Sequence, residues 1–220
     1  MALMLMLVVM LLSLIVQQTL SAKFRKYSKV GINASGAEIS AKMLGDNGIS
    51  DVRITSVNGT LTDHYNPSNK TINLSDSVFS QRNIAAAAVA AHETGHSIQD
   101  ATAYGPLRLR SALVPVVSFA NNTVQWILLA GVLILQFTPS LLYVGIALFA
   151  LSTLFSLVTL PVEIDASRRA VAWLEASGVA DYETLPMAKD ALKWAAYTYV
   201  IAALGSLATL FYYIGLARRD

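Results

Sequence analysis

Four apolar stretches divide the chain. Ala2 to Gln17, extended by its neighbours to Leu20, approaches the roughly 20 residues that cross a bilayer. Leu113 to Phe137 is the second stretch, Leu141 to Leu160 the third and Ala195 to Leu216 the fourth. Gln136-Phe137-Thr138-Pro139-Ser140 separates the second from the third so tightly that the two read as an antiparallel hairpin. Asn121-Asn122-Thr123 interrupts the second run, and polar groups at membrane depth need partners from protein or water. The span is therefore expected to begin near Thr123, after an interfacial helix over 112–120. Trp194, Tyr197, Tyr199, Tyr212 and Tyr213 belt the fourth stretch.

The polar positions between these runs predict shorter elements. Ser35-Gly36-Ala37-Glu38 fits a capping box, with a helix over 37–44 that Gly45 or Gly48 ends. Asp51 to Val57 alternates with β-branched residues, Asn58-Gly59 is a two-residue hairpin turn, and Thr60 to Tyr65 returns as its partner strand. A further turn at Asn66-Pro67-Ser68-Asn69 precedes Thr71 to Leu74, so a short antiparallel sheet of two or three strands is expected. Ala85 to Asp100 follows, a run of strong helix formers. After the hairpin, Pro161 to Ala176 returns to charged helix formers with Ser177-Gly178 as the stop, and Pro186 opens the helix that leads into the last span.

Composition agrees with this division. The chain has 220 residues, 55% hydrophobic and 14% charged, against about 25% charged in an ordinary soluble domain. Its mean hydropathy is +0.52. A net charge of +2, with no basic run interleaved with aromatics, excludes nucleic acid as the expected partner. The absence of cysteine removes disulfides and thiolate ligands, so any metal must be held by histidine and carboxylate. The first stretch has no positive charge before its apolar core, and Lys23, Arg25, Lys26 and Lys29 follow it. That order suits a retained anchor with its N-terminus outside, although Leu20-Ser21-Ala22 offers a signal-peptide cleavage site. Of the 16 Lys and Arg residues, ten lie between Lys23 and Arg110 and four between Arg168 and Lys193, while the turn at 136–140 has none. Both polar blocks are thus expected at the cytoplasmic face of a multi-pass bacterial plasma-membrane protein, with Arg218 and Arg219 dissenting.

The candidate chemistry sits in the alanine-rich helix, at His92-Glu93-Thr94-Gly95-His96. Positions i and i+4 stand one turn apart on one helix face, so both imidazoles can reach one ion while Glu93 lies beside it. This is the H-E-x-x-H arrangement of a zinc hydrolase, with Glu93 as the base that takes a proton from water. Gly95, inside a helix where it costs about 1 kcal/mol relative to Ala, leaves room for a neighbouring helix. Two histidines leave zinc one protein ligand short. A metzincin would carry a third histidine six residues after His96, but Thr102 stands there. Glu163 is the best candidate, because the hairpin returns it to the face from which it left, while Asp100 is placed to brace a ligand. His64, Tyr104, Arg168 and Arg169 are candidate donors to the charge that develops on the scissile carbonyl. An exposed strand edge before the zinc helix would let an extended peptide add to the sheet.

These residues resemble a known family, the bacterial membrane zinc metallopeptidases of the YugP type, within the gluzincins. The likeness rests on Leu61-Thr62-Asp63-His64-Tyr65-Asn66-Pro67, Ala90-Ala91-His92-Glu93-Thr94-Gly95-His96-Ser97-Ile98-Gln99-Asp100, Pro106-Leu107-Arg108-Leu109-Arg110 and Pro161-Val162-Glu163-Ile164-Asp165-Ala166-Ser167-Arg168-Arg169-Ala170. It implies His92, His96 and Glu163 as ligands of one Zn2+ per chain and Glu93 as the general base. The chain is also similar to the membrane peptidases related to HtpX and CAAX prenyl protease 1, in which an aspartate follows the ligand glutamate by four residues. Ser167 stands there instead, which leaves Asp165 or Asp100 to do the bracing.

The expected fold is a mainly α membrane protein with about four transmembrane helices and a small α+β zinc-peptidase domain at the membrane surface. Its divisions are an anchor over 1–20, a polar peptidase region over 21–111, a transmembrane hairpin over 112–160, a second peptidase region over 161–193 and a last span over 194–217. The expected activity is peptide-bond hydrolysis at the cytoplasmic membrane face, on a peptide or membrane-associated protein. A non-proteolytic zinc-binding membrane scaffold is the alternative, which the presence of Glu93 disfavours. A transporter would need ionisable groups inside its spans, and these hold no Asp, Glu, Lys, Arg or His, only amides such as Asn121 and Asn122 and hydroxyls.

Overall fold

The apolar runs become four long helices. A computed structural model describes residues 2–218, so Met1 of the expected anchor and the dissenting Arg219 lie outside the described residues. In chain order the elements are α1 (Ala2–Tyr27), α2 (Gly36–Asp46), β1 (Arg53–Val57), β2 (His64–Asn66), β3 (Thr71–Ser75), α3 (Asp76–Phe79), α4 (Ile84–Ala101), α5 (Gly105–Leu133), α6 (Ser140–Ala176) and α7 (Leu185–Ala217). Helices α1, α5, α6 and α7 are each long and apolar enough to cross a membrane. The result is a mainly α, membrane-like protein carrying one small sheet.

Helix α4 is the centre of the polar part. Its alanines, Ala85 to Ala88 with Ala90 and Ala91, are almost fully buried, and with no bulk beyond Cβ they let α2, α3, β3, α6 and α7 approach closely. Asn83 caps the helix by accepting from the Ala86 N–H at 2.9 Å. Around it lie Ile39, Met43, Ile72 and Leu74, whose burial contributes about 1.5–3 kcal/mol each. The capping box of α2 forms as the sequence implies, with Ser35 Oγ accepting from the Glu38 N–H and the Glu38 carboxylate accepting from the Ser35 N–H.

The sheet differs from the expected hairpin. Its order is β1-β3-β2, with β1 parallel and β2 antiparallel to β3. Asn58-Gly59 does not join paired strands; the chain instead loops across with Gly59 at φ +111 and Leu61 at φ +61. The reason is burial. Four of the five β3 residues are buried, whereas β1 and β2 are partly exposed, so β3 takes the middle. Asp63 fastens the crossing by accepting from the Ser75 N–H at 2.8 Å and from the Ser75 hydroxyl.

The hairpin of α5 and α6 forms, with its turn over 134–139 rather than 136–140 because α5 ends at Leu133. However, α5 is continuous from Gly105 through Pro115 and Asn121, so 112–120 is not a separate interfacial helix. Neighbours supply part of what the polar residues need: Asn121 Oδ1 accepts from Ser152 Oγ across the hairpin, and Thr123 Oγ1 donates to Phe119 O. Helix α6 runs 37 residues without a break, about 55 Å at 1.5 Å per residue. Glu163 therefore stands roughly 35 Å from Ser140, just past a hydrocarbon core about 30 Å thick.

Where α4 crosses α6, a Cβ built on Gly95 would lie 2.7 Å from Ala166 O. Gly95→Ala should lower stability by about 1 kcal/mol, because overpacking of about 1–3 kcal/mol exceeds the roughly 1 kcal/mol gained in helix propensity. Gly45→Ala is the control: Gly45 lies in α2 with open space around its Cβ position, so that change should stabilise. Unfolding of both variants in detergent, against wild type, reads the opposite signs.

Candidate metal centre

On α4, the rings of His92 and His96 stand one turn apart with centroids 4.8 Å from each other and planes nearly perpendicular. Glu163 meets them from α6, its Oε2 lying 3.2 Å from His92 Nε2 and 3.6 Å from His96 Nε2. One ligand atom from each of the three residues falls within 4.8 Å of the others, a grouping that could hold a metal ion. Two imidazole nitrogens and one carboxylate oxygen are a donor set that suits a zinc ion with a position left open. Glu163 is 2% exposed and His96 6%, so these groups are withdrawn from water. Burial alone would lower the His96 pKa, yet its hydrogen bond to Glu163 and the charges of Glu93 and Glu163 outweigh burial and raise it. The field between the three side chains thus favours positive charge.

A second layer sets which nitrogen of each ring faces inward. Gln99 Nε2 donates to Val162 O at 2.7 Å and to Asp165 Oδ2 at 2.9 Å, which turns Oε1 toward His96. His96 Nδ1, 3.0 Å from that oxygen, is then assigned by the network as the protonated nitrogen, and the Nε2 lone pair is left facing Glu163. His92 Nδ1 lies 3.1 Å from Ser167 Oγ. The bracing expected of Asp100 or Asp165 is distributed differently. Asp100 accepts from the Tyr65 hydroxyl at 2.8 Å, and Asp165 reaches His96 only through Gln99 while Arg169 Nε holds it at 2.6 Å. Burial and the bond to Asp100 push the Tyr65 phenol well above its usual value. Gln99 escaped the sequence reading, although its place one turn after His96 on the same face was the available signal.

Glu93 is buried at the edge of a cleft of about 200 Å3 that Glu163 and His96 also line. Its Oε2 accepts from the Tyr65 N–H at 3.1 Å, which fixes the carboxylate against β2. Of the four candidate donors only His64 lines this cleft; its Nδ1 is 2.8 Å from Thr62 O and its Nε2 3.2 Å from Asn73 Nδ2. Tyr104 and Arg169 stack on each other outside it, and Arg168 is exposed on α6. Arg110 and Tyr199 do line the cleft, with Arg110 Nη1 3.4 Å from Glu163 Oε1. In the sequence, Tyr199 belongs to an aromatic belt and Arg110 ends the polar block, so neither stands out. A larger groove, about 470 Å3 between α1 and α7, holds none of these residues.

Compared with known proteins, residues 2–218 match a family described as "Putative neutral zinc metallopeptidase". The chain belongs to this metallopeptidase family. It is 40% identical over 205 residues to "Putative membrane protease YugP" of Bacillus subtilis (strain 168), covering 92% of this chain and 90% of that protein. No solved structure matches it. Membership of a zinc metallopeptidase family implies zinc, and His92, His96 and Glu163 form a grouping that could hold a metal ion. Four apolar helices and a relative named a membrane protease likewise agree on a membrane protein.

The Gln99 network yields a test within this family. Gln99→Leu removes the acceptor from His96 Nδ1 and the tie from α4 to Val162 O, so zinc affinity should fall about 10–100-fold. Competition against a chromophoric chelator measures it, with Asp100→Asn expected near wild type because Asp100 touches neither imidazole.

Proposed function

We propose that the chain is a zinc-dependent peptidase of the gluzincin kind. It hydrolyses peptide bonds with His92, His96 and Glu163 holding one Zn2+ per chain and Glu93 as general base. The observation that carries this reading is the convergence of three ligand atoms within 4.8 Å beside a carboxylate in the same cleft. Zinc, when bound, supplies Lewis acidity and lowers the pKa of its water to about 7. Glu93 takes a proton from the attacking water and delivers it to the leaving amine, held in place by the Tyr65 N–H. Edge strand β2 lines the cleft, so an extended substrate adds to it through main-chain hydrogen bonds. Tyr199, which lines the cleft, is the donor proposed for the charge developing on the scissile carbonyl. A pure scaffold would have no use for Glu93 in that position.

The same reading places the site at the cytoplasmic face of a multi-pass bacterial plasma-membrane protein. Fourteen of the 16 Lys and Arg residues fall in the two polar blocks, the positive-inside pattern. Cleft residues Val114 and Tyr199 belong to span helices α5 and α7, which supports a membrane-associated peptide or protein as substrate.

Glu93→Gln should retain zinc and lose turnover about 100- to 10,000-fold or more, since only the base is changed. Near-normal hydrolysis by that variant would reject the mechanism. Glu163→Ala should weaken zinc by more than about 100-fold, beyond the 10–100-fold typical of an outer partner. Glu175→Ala, further along α6 at an exposed pair with Lys189 of α7, should leave zinc and activity unchanged. Metal analysis of the purified variants decides between the two. A topology reporter fused after Gly59 should report cytoplasm and one inserted near Thr138 the outside; the reverse pattern would invert the membrane assignment.

A further inference from the structure

Polar side chains continue from the metal centre into the span. On α6, Ser152, Ser156, Thr159 and Glu163 follow one another at intervals of four, three and four residues, so they form one stripe on one helix face, about 16 Å long. Helices α5 and α7 flank this stripe from opposite sides. Asn121 of α5 meets it at Ser152 Oγ, and Ser206 of α7 meets it at Ser156 Oγ, 3.4 Å away. At the far end the three helices close together over Val124, Leu128, Leu142 and Ala217. At the site end α5 and α7 stand apart, and their Val114 and Tyr199, 45% and 36% exposed, form the walls of the cleft.

The pairing along the stripe is incomplete. Asn121 accepts from Ser152, but its Nδ2 has no hydrogen-bond partner among the described residues. Asn121 lies roughly 16 Å along α5 from Arg110, near the middle of a core about 30 Å thick, where no water replaces a missing partner. Ser156 donates to the Ser152 carbonyl one turn back and meets Ser206 with one lone pair, which leaves its second lone pair free to accept. An ordinary interhelical pair would satisfy both sides; this surface keeps both donors and acceptors in reserve.

A membrane-spanning helix has the complementary need. To present an extended scissile bond to the cleft its end must unwind, and each freed backbone N–H and C=O then requires a partner inside hydrocarbon. We propose that the groove over α6 between α5 and α7 docks the membrane-spanning segment of a protein substrate. The stripe accepts from the freed N–H groups, and Asn121 donates to a freed carbonyl. This rests on the peptidase reading and narrows its substrate class to proteins cut beside a transmembrane segment.

Native absence of cysteine makes a direct test clean. The full chain, reconstituted in liposomes, is given a probe in which a cleavable sequence from a peptide-library digest is fused beside one synthetic span, or the same sequence as a free peptide. In a Glu93→Gln background, Asn121→Cys and Ser156→Cys should form disulfides with a cysteine at the site-proximal end of the probe's span. Phe119→Cys, on the opposite face of α5 and 68% exposed, should not. In the active protein, Asn121→Leu and Ser156→Ala should lower kcat/KM for the tethered probe by about 10-fold or more and leave the free peptide within about twofold. Thr209→Val, in the groove on the other side of α7, should change neither. Equal losses on both probes, or equal cross-linking at Phe119 and Asn121, would overturn the docking surface. Cross-linking at the stripe in a protein that cleaves neither probe would uphold docking and reject the peptidase reading instead.

Discussion

The close crossing of α4 and α6 is the constraint on which the rest depends. The two imidazoles belong to one helix and the glutamate to another, so the group exists only if the backbones come close and stay in register. Gly95 permits the approach, because any Cβ there would press on the carbonyl of Ala166. Gln99 of α4 takes up the Val162 carbonyl, so the same residue that orients His96 also ties the two helices together. Packing, tautomer and ligand geometry are thus settled by one interface.

Electrostatics then decides what this interface can hold. A carboxylate as deeply buried as Glu163 is costly unless compensated, and here two imidazoles face one oxygen while Arg110 faces the other. Glu93 adds a second negative charge at the same cleft, with one backbone N–H to steady it. The acids lie where histidines and a cation can answer them, and no buried side-chain nitrogen or oxygen among the described residues lacks a partner. Exposed pairs such as Lys42–Asp46 and Arg82–Glu38 contribute little by comparison, being screened by water.

Local chemistry was legible in the sequence, and long-range competition was not. The i, i+4 histidines, the capping box at Ser35 and Glu38, the apolar runs and the return of Glu163 beside the zinc helix all follow from spacing or from a short turn. The Asn58-Gly59 hairpin failed because a local turn signal competes with burial of a whole strand, and β3 buries more than either neighbour. Gln99, Arg110 and Tyr199 share a different cause. Each sits on a helix whose rotation is fixed by partners far away in the chain, so a glutamine after the motif, an arginine at a domain edge and a belt tyrosine look ordinary until the helices are assembled.

Asn121 and Asn122 bring these strands together. The rule that polar groups at membrane depth need partners predicts a break in the helix, and the chain keeps the helix instead. It can do so because α6 offers Ser152 at the right level, which satisfies one oxygen without interrupting the backbone ladder of α5. A leucine pair at 121–122 would serve a simple hairpin better, since apolar side chains need nothing from their surroundings. The asparagines therefore carry a cost that folding of the hairpin does not explain. Asn121 meets the continuation of the Glu163 face at Ser152, which gives its cost a use: helix α6, which delivers the carboxylate to the candidate metal centre, also lays out the polar surface that leads to it.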